Sequence, residues 1–176
     1  MRTIIRNAFP LQNGRPLRCP EWAAQLFKTP MPQPLFVLNG SNLNMLGMRE
    51  PALYGSTTLA QIEERTRELA VSLDFACEFR QTNHEGVLVD WIQEAARCDA
   101  ALILNPAGFS FGCVPVLDAV KLLRKPVIEV HLTNIHQRPA PYTHSLVSQA
   151  ATGVICGLGP AGYLMAVRAV AHLLAV

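Results

Sequence analysis

An abrupt change from an apolar run to a long polar stretch, within residues 35–58, constrains the fold of this chain most strongly. Residues 35–38 (LFVL) are typical of a buried strand, and Asn39 and Gly40 end it. About eighteen residues without helical or strand periodicity follow, a length typical of a binding loop. Thr57 or Thr58 then caps a helix, with Gln61 as a possible capping-box partner. In an open α/β sheet ligands bind at this end of a strand, so a site is predicted here.

Strand-like and helix-like segments alternate along the rest of the chain. The predicted strands after the first are Phe75–Gln81, 100–104, 126–131 and Gly153–Cys156, and the predicted helices are 58–73, 87–96, 114–123 and Ala161–Leu174. The alternating pattern of Phe75–Gln81 favours a half-buried strand nearer an edge. The order βαβαβαβαβ predicts an α/β fold with a five-stranded parallel sheet and helices on both faces.

Composition narrows the class of protein. The chain has 176 residues, half of them hydrophobic and 16% charged, as expected for one well-packed domain or an oligomer subunit. A net charge of +2 is too small to indicate nucleic acid or an anionic membrane as a partner. The odd number of cysteines, five, without a C-x-x-C pair favours reduced thiols. No apolar run is long enough to span a membrane, so we expect a cytoplasmic protein.

The first 33 residues differ from the rest. They carry five prolines and five basic side chains against one acidic residue, Glu21. An arginine-rich start can indicate a transit peptide, but no clear amphipathic pattern accompanies it, and no apolar h-region supports a secretory signal. We interpret residues 1–33 as an N-terminal extension and residues 34–176 as the domain.

Several side chains are unusual for a purely structural role. Glu129 and His131 lie two residues apart in an otherwise apolar strand and so share one face of it. A charged group there costs several kcal/mol unless it is paired. A carboxylate partner makes His131 a candidate general acid, although a structural pair is the alternative. Asn105 ends the neighbouring strand and should face the same crevice.

The long loop supplies a candidate base. Tyr54 is a weak base at its ordinary pKa near 10, but Arg49 in the same loop favours the phenolate and could lower that pKa. Taken alone, the two could equally be ordinary surface residues.

These residues belong to a set of motifs that resembles the type II dehydroquinases (3-dehydroquinate dehydratases). The motifs are NGSNLN at 39–44, LGMREP at 46–51, YG at 54–55, QTNHEG at 81–86, EVHLTNIH at 129–136 and ATGVICGLG at 151–159. The resemblance covers about residues 34–174. It implies a flavodoxin-like fold, assembly as a dodecamer built from trimers, and no metal or cofactor. It also implies elimination of water from 3-dehydroquinate, in the shikimate pathway to aromatic amino acids or in quinate catabolism.

The resemblance also implies roles for individual residues. Tyr54, kept ionised by Arg49, would remove the proton α to the substrate ketone. Asn42 would help to hold a water at the developing enolate oxygen. His131, oriented by Glu129, would protonate the departing hydroxyl. The substrate-binding positions implied by the family are Asn105, the backbone N–H groups of Leu132 and Thr133 for a carboxylate, and Asp118 on the hydroxyl side.

Two recognition positions depart from the family pattern. Phe111 stands where the family usually has a histidine that contacts the ring hydroxyls, and Tyr142 stands where an arginine usually reaches the substrate. A site built to bind hydroxyls loses affinity when its donors become aromatic rings. We therefore expect a divergent member that handles 3-dehydroquinate poorly, or a paralogue with another substrate or a binding and regulatory role.

Three other motifs are weaker. Gly108, Ser110 and Gly112 form a literal G-x-S-x-G between a strand and a helix, and Asp118 and His131 follow in hydrolase order. Asp118 lies only eight residues after Ser110, however, and the chain is short for that fold.

A metal site from His131, His136 and His144 has no pair at helical spacing, and none is expected. Cys113 at a helix start could have a lowered pKa. No base is placed for it, so packing is the preferred interpretation.

Overall fold

The computed structural model describes residues 32–48, 55–140 and 142–175, together with the backbone of residues 11–12 and 15–16. The chain divides into two compact units, Met1–Met31 and Pro32–Val176. In the first unit, strands β1 (Leu11–Gln12) and β2 (Arg15–Pro16) pair antiparallel. The division at residue 33 inferred from the sequence stays a prediction.

The second unit contains a five-stranded parallel sheet. Its strands are β3 (Gln33–Asn39), β4 (Phe75–Gln81), β5 (Ala101–Asn105), β6 (Val127–His131) and β7 (Gly153–Cys156). They are ordered β4-β3-β5-β6-β7, and all four pairings are parallel. The predicted α/β class, the five parallel strands and the edge position of β4 are confirmed.

Four α-helices cover the sheet: α1 (Leu59–Ser72), α2 (Glu85–Arg97), α3 (Val114–Val120) and α4 (Ala161–Leu174). Helices α1 and α4 pack together on one face, and α2 and α3 pack together on the other. No helix in the described part of the chain is long and apolar enough to cross a membrane.

Two helix boundaries differ from the prediction by more than one residue. Helix α2 begins at Glu85, two residues earlier than expected, and α3 ends at Val120, three residues earlier. After Val120 the N–H groups of Leu122 and Leu123 bond to carbonyls three residues back, so the last turn tightens into 3₁₀ geometry. Four stretches predicted as loops or left unassigned also contain 3₁₀ turns: Leu43–Met45, Ala107–Phe111, Ile135–Gln137 and Val147–Gln149.

The start of α1 was predicted correctly. Thr58 is its N-cap: the Thr58 hydroxyl accepts from the Gln61 N–H at 3.3 Å, and Gln61 Oε1 accepts from the Thr58 N–H at 3.0 Å. This reciprocal capping box satisfies two N–H groups that the helix itself cannot bond. It fixes where the long loop after β3 ends.

The centre of the sheet is fully buried. Residues 35–38 of β3 and 102–104 of β5 have no exposed surface. Burial of each large aliphatic side chain contributes about 1.5–3 kcal/mol, which explains why these two segments are apolar. Register places Asn39 opposite Asn105, at the carboxyl ends of the two central strands. Polar side chains are therefore held side by side where the apolar core stops.

Candidate active site

A cleft of about 220 Å³ lies at the carboxyl ends of β3, β5 and β6, the position predicted from the first strand. Seven of the predicted site residues line it: Asn42, Asn105, Phe111, His131, Leu132, Thr133 and Tyr142. The other lining residues are Ser41, Leu43, Leu46, Ala107 and Gly108. The cleft is thus formed by the ends of strands and by the loops that follow them.

Glu129 and His131 form the pair that their spacing in β6 predicts. His131 Nε2 lies 2.7 Å from Glu129 Oε1, and the two side chains are 5% and 0% exposed. Alternation along a strand places both on one face, so the carboxylate orients the imidazole from behind while the ring lines the cleft.

Two serines lie on the far side of this carboxylate. Ser148 donates its hydroxyl to Glu129 Oε2 at 2.5 Å, whereas the buried Ser145 hydroxyl makes no hydrogen bond of ordinary geometry. Burial alone would raise the pKa of Glu129, but hydrogen bonding from His131 and the nearness of both serine hydroxyls outweigh it and lower the pKa. Glu129 therefore carries its negative charge at neutral pH.

The backbone just after His131 offers donors to the cleft. Gly157 donates its N–H to the His131 carbonyl at 3.2 Å, and Gly159 donates to the Leu132 carbonyl at 2.9 Å. The N–H groups of Leu132 and Thr133 make no hydrogen bond to another described residue. Two adjacent free N–H groups beside a cleft are well suited to a carboxylate.

Asn105 contributes a further donor from the end of β5. Its side chain is only 3% exposed. Asn105 Oδ1 accepts from the Ala107 N–H at 3.2 Å, and its Nδ2 donates to the Tyr163 hydroxyl at 2.9 Å. One N–H of the amide has no partner among the described residues.

Asn42 begins the loop in a left-handed conformation, with φ of 65°. Asparagine tolerates this region better than most residues do. Its backbone N–H donates to Asn83 Oδ1 at 2.8 Å, while its side chain makes no hydrogen bond to a described residue. The Asn42 amide is therefore available to a ligand or a water in the cleft.

The opposite side of the cleft is aromatic. The rings of Phe111 and Tyr142 meet edge to face, with centroids 5.2 Å apart and an interplanar angle of 85°. The Arg138 guanidinium lies 4.8 Å from the Tyr142 ring centroid, on the ring's face. The family pattern predicts an imidazole at position 111 and a guanidinium at position 142. Of the two aromatic residues found there, only Tyr142 carries a polar group, its hydroxyl.

Asp118 does not line the cleft of its own chain. Helix α3 buries Val116, Leu117, Ala119 and Val120, which leaves Asp118 on the outer side. There its side chain is 63% exposed and bonds Lys121 at 3.0 Å. Tyr54 and Arg49, the predicted base and its partner, lie outside the described residues.

The rival motifs do not form sites. The Ser110 hydroxyl is buried and donates to the Ala107 carbonyl at 2.6 Å, inside a 3₁₀ turn and not at a nucleophile elbow. No group of three histidine, cysteine or acidic side chains in the described part could hold a metal. Burial raises the pKa of Cys113 to about 11, which disfavours a reactive thiolate at this position.

Three residues of the site were missed in the sequence. Ser148 was assigned no role, and Asn39 was noted only as the end of a strand. Tyr163 lies in what the sequence presents as an apolar closing helix, yet it has no exposed surface and bonds both Asn39 and Asn105. A tyrosine inside an apolar helical stretch is a weak signal that a buried polar partner exists.

Comparisons with known proteins agree with this geometry. The family model for Dehydroquinase class II matches residues 33–171. A 3-dehydroquinate dehydratase from Brucella canis is 51% identical over 143 residues, which covers 81% of this chain and 91% of that protein. 3-Dehydroquinate dehydratase 1 of Agrobacterium fabrum is 48% identical over 141 residues, covering 80% and 97%.

A solved structure gives the same result for the fold. The crystal structure of the type II dehydroquinase from Propionibacterium acnes superposes with a TM-score of 0.78 at 40% identity, covering 82% of this chain and 99% of that chain. The chain belongs to the type II dehydroquinase family.

Proposed function

We propose that this chain is a 3-dehydroquinate dehydratase, a carbon–oxygen lyase that eliminates water from 3-dehydroquinate through an enolate to give 3-dehydroshikimate. The observation that carries the proposal is the buried 2.7 Å contact between Glu129 and His131, with the imidazole lining a cleft. An oriented histidine backed by an ionised carboxylate is suited to giving a proton to a leaving hydroxyl.

The elimination follows from the groups assigned to it. The phenolate of Tyr54, kept ionised by Arg49, takes the proton from the carbon α to the ketone. The electrons of the broken C–H bond form an enolate, whose oxygen is stabilised by a water held by Asn42. The enolate then expels the β-hydroxyl, which takes a proton from His131 and leaves as water. Exchange with solvent returns both side chains to their starting states.

Binding of the substrate carboxylate is assigned to the free donors beside the catalytic pair. These are the N–H groups of Leu132 and Thr133 and the remaining amide N–H of Asn105. Charge-assisted hydrogen bonds of this kind orient the ring so that His131 meets the β-hydroxyl and Tyr54 meets the proton on the neighbouring α-carbon.

We further propose that the protein is located in the cytoplasm and assembles as a dodecamer built from trimers. Asp118 lies outside the cleft of its own chain, so its role on the hydroxyl side requires a neighbouring copy. Twelve copies of the 19.3 kDa chain give about 230 kDa, which light scattering distinguishes from a monomer. The reaction would serve the shikimate pathway to aromatic amino acids or quinate catabolism.

A direct assay tests the activity. We expect the ultraviolet absorbance of the enone product to appear when the purified chain is mixed with 3-dehydroquinate, and to be lost in Tyr54→Phe. Tyr54→Phe keeps the ring and removes only the hydroxyl, so a loss reports on the base. Equal rates in both proteins would contradict the assignment of Tyr54.

A second candidate is a paralogue with an altered substrate or a binding and regulatory role. The Phe111–Tyr142 pair favours it, because those two rings lie where hydroxyl-reading donors were expected. Absence of turnover with 3-dehydroquinate and other cyclic β-hydroxy ketones would support this candidate over the dehydratase.

A further inference from the structure

A chain of buried hydrogen bonds runs from the backbone of β4 to the cleft. Asn39 Nδ2 donates to the Arg80 carbonyl at 3.0 Å, and Tyr163 donates its hydroxyl to Asn39 Oδ1 at 2.6 Å. Asn105 Nδ2 then donates to the Tyr163 oxygen at 2.9 Å. Asn39 and Tyr163 have no exposed surface, so water cannot replace any of these partners.

The groups at the two ends of this hydrogen-bond series determine which partner donates in every hydrogen bond of the series. The Arg80 carbonyl can only accept, so Asn39 must turn its nitrogen toward it and its oxygen toward Tyr163. A phenol has one proton, and Tyr163 uses it on Asn39 Oδ1, so the same oxygen can only accept from Asn105. At the other end the Ala107 N–H can only donate, which requires Asn105 Oδ1 on that side.

The amide of Asn105 is therefore held in one orientation, with a single N–H left over beside the cleft. Burial raises the pKa of Tyr163 well above its ordinary value, so the phenol keeps its proton over any working pH. A reversed amide would present a carbonyl oxygen instead of an N–H, which would repel an anionic ligand.

We propose that Tyr163 is a positioning residue for substrate binding: by accepting from Asn105 and donating to Asn39, it keeps the Asn105 N–H directed at the substrate carboxylate. The proposal rests on the proposed function, because it takes that carboxylate as the ligand of Asn105. Tyr163 itself does not line the cleft, so its effect on the substrate must pass through Asn105.

Tyr163→Phe tests this by removing one oxygen from a buried ring. We expect KM for 3-dehydroquinate to rise about tenfold, as for a weakened hydrogen bond to a charged group. We expect kcat to stay within about twofold, because a carboxylate contact is equal in the ground and transition states. The matched control is Thr66→Val, which removes a buried hydroxyl bonded only to the Ile62 carbonyl in α1. It should lower Tm and leave KM unchanged.

A double-mutant cycle separates positioning from general damage. Asn105→Ala alone should raise KM, and adding Tyr163→Phe should raise it no further, because the first change removes the group on which Tyr163 acts. Asn39→Ala gives a second test from the other end, since it frees the phenolic proton to turn toward Asn105; KM should rise here too.

Each outcome decides the proposal. If the wild type turns over 3-dehydroquinate and folded Tyr163→Phe or Asn39→Ala keeps the wild-type KM, the positioning role is wrong while the dehydratase stands. If Tyr163→Phe raises KM by the same factor in the wild type and in Asn105→Ala, Tyr163 does not act through Asn105 and the proposal is again overturned. If the wild type does not turn over 3-dehydroquinate, both the proposed function and this inference are wrong.

Discussion

The two sides of the cleft are held in place by different forces. Asn105, Glu129 and His131, which we call the strand wall, lie on β5 and β6, are at most 4% exposed and are each fixed by hydrogen bonds. Phe111 and Tyr142, which we call the loop wall, lie outside the sheet and meet through ring packing, with Tyr142 41% exposed. A buried polar network tolerates little change, whereas ring packing on loops accepts substitution readily. Under the proposed function, this difference lets the chain keep its acid–base groups on the strand wall while the substrate-binding residues of the loop wall depart from the family pattern.

Replacing His131, the proposed general acid on the strand wall, should have the largest effect. We expect His131→Asn to lower kcat for 3-dehydroquinate by about 10²–10⁴-fold with little change in KM, as for loss of a general acid. Ser148→Ala removes one hydrogen bond from Glu129 and leaves the Glu129–His131 contact, so it should lower kcat by less than about tenfold. Steady-state rates of enone formation measure both. A His131→Asn protein that keeps a tenth or more of the wild-type kcat would show that another group supplies the proton.

Rebuilding the loop wall should have the next largest effect, in the opposite direction. Phe111→His with Tyr142→Arg adds two donors where the family usually has them. Each hydroxyl contact is worth about 1–3 kcal/mol, so kcat/KM for 3-dehydroquinate should rise about a hundredfold or more. Phe111→Leu with Tyr142→Met is the control, since it removes both rings without adding donors. If the rebuilt protein gains no more than this control, the missing donors do not limit the wild type.

The backbone packed against the strand wall at Gly40 should not accommodate a side chain. A Cβ added at Gly40 would lie 2.1 Å from the Pro106 carbonyl oxygen, at the point where Gly40 donates its N–H to the Asn105 carbonyl. We expect Gly40→Ala to destabilise the fold by about 1–3 kcal/mol or more. Gly86→Ala is the matched control because a Cβ there meets nothing within 4 Å in helix α2, and it should be neutral or stabilising by up to about 1 kcal/mol. Comparable Tm values for the two variants would contradict the close approach at Gly40.

The smallest effect concerns the charge of Glu129. Because its pKa is lowered in the folded state, the charge contributes stability above the unfolded pKa of about 4.3, and this stability is lost as pH falls through the lower folded value. The difference in unfolding free energy between the wild type and Glu129→Gln should therefore be constant near neutral pH and shrink below about pH 4. Denaturant unfolding at several pH values measures it. A difference that grows on acidification would mean that the folded pKa is raised instead.

The strand wall could be predicted from the sequence better than the loop wall. Glu129 and His131 are two residues apart in a regular strand, where periodicity alone places them on one face. Phe111 and Tyr142 are 31 residues apart on segments without periodicity, so nothing local indicates that their rings meet. The link from Tyr163 to Asn39 spans 124 residues and depends on how α4 packs on the sheet. Local patterns specify elements and faces, while contacts between distant elements require the packed fold.

One set of kinetic measurements tests the account most directly. It compares 3-dehydroquinate turnover in the wild type, in His131→Asn, in Phe111→His with Tyr142→Arg, and in the three changes combined. If the strand wall does the chemistry and the loop wall only reads the substrate, the combined protein should keep the full loss in kcat while still showing the tighter binding. Recovery of kcat in the combined protein, with the new histidine at 111 replacing His131 as the acid, would contradict this division of roles.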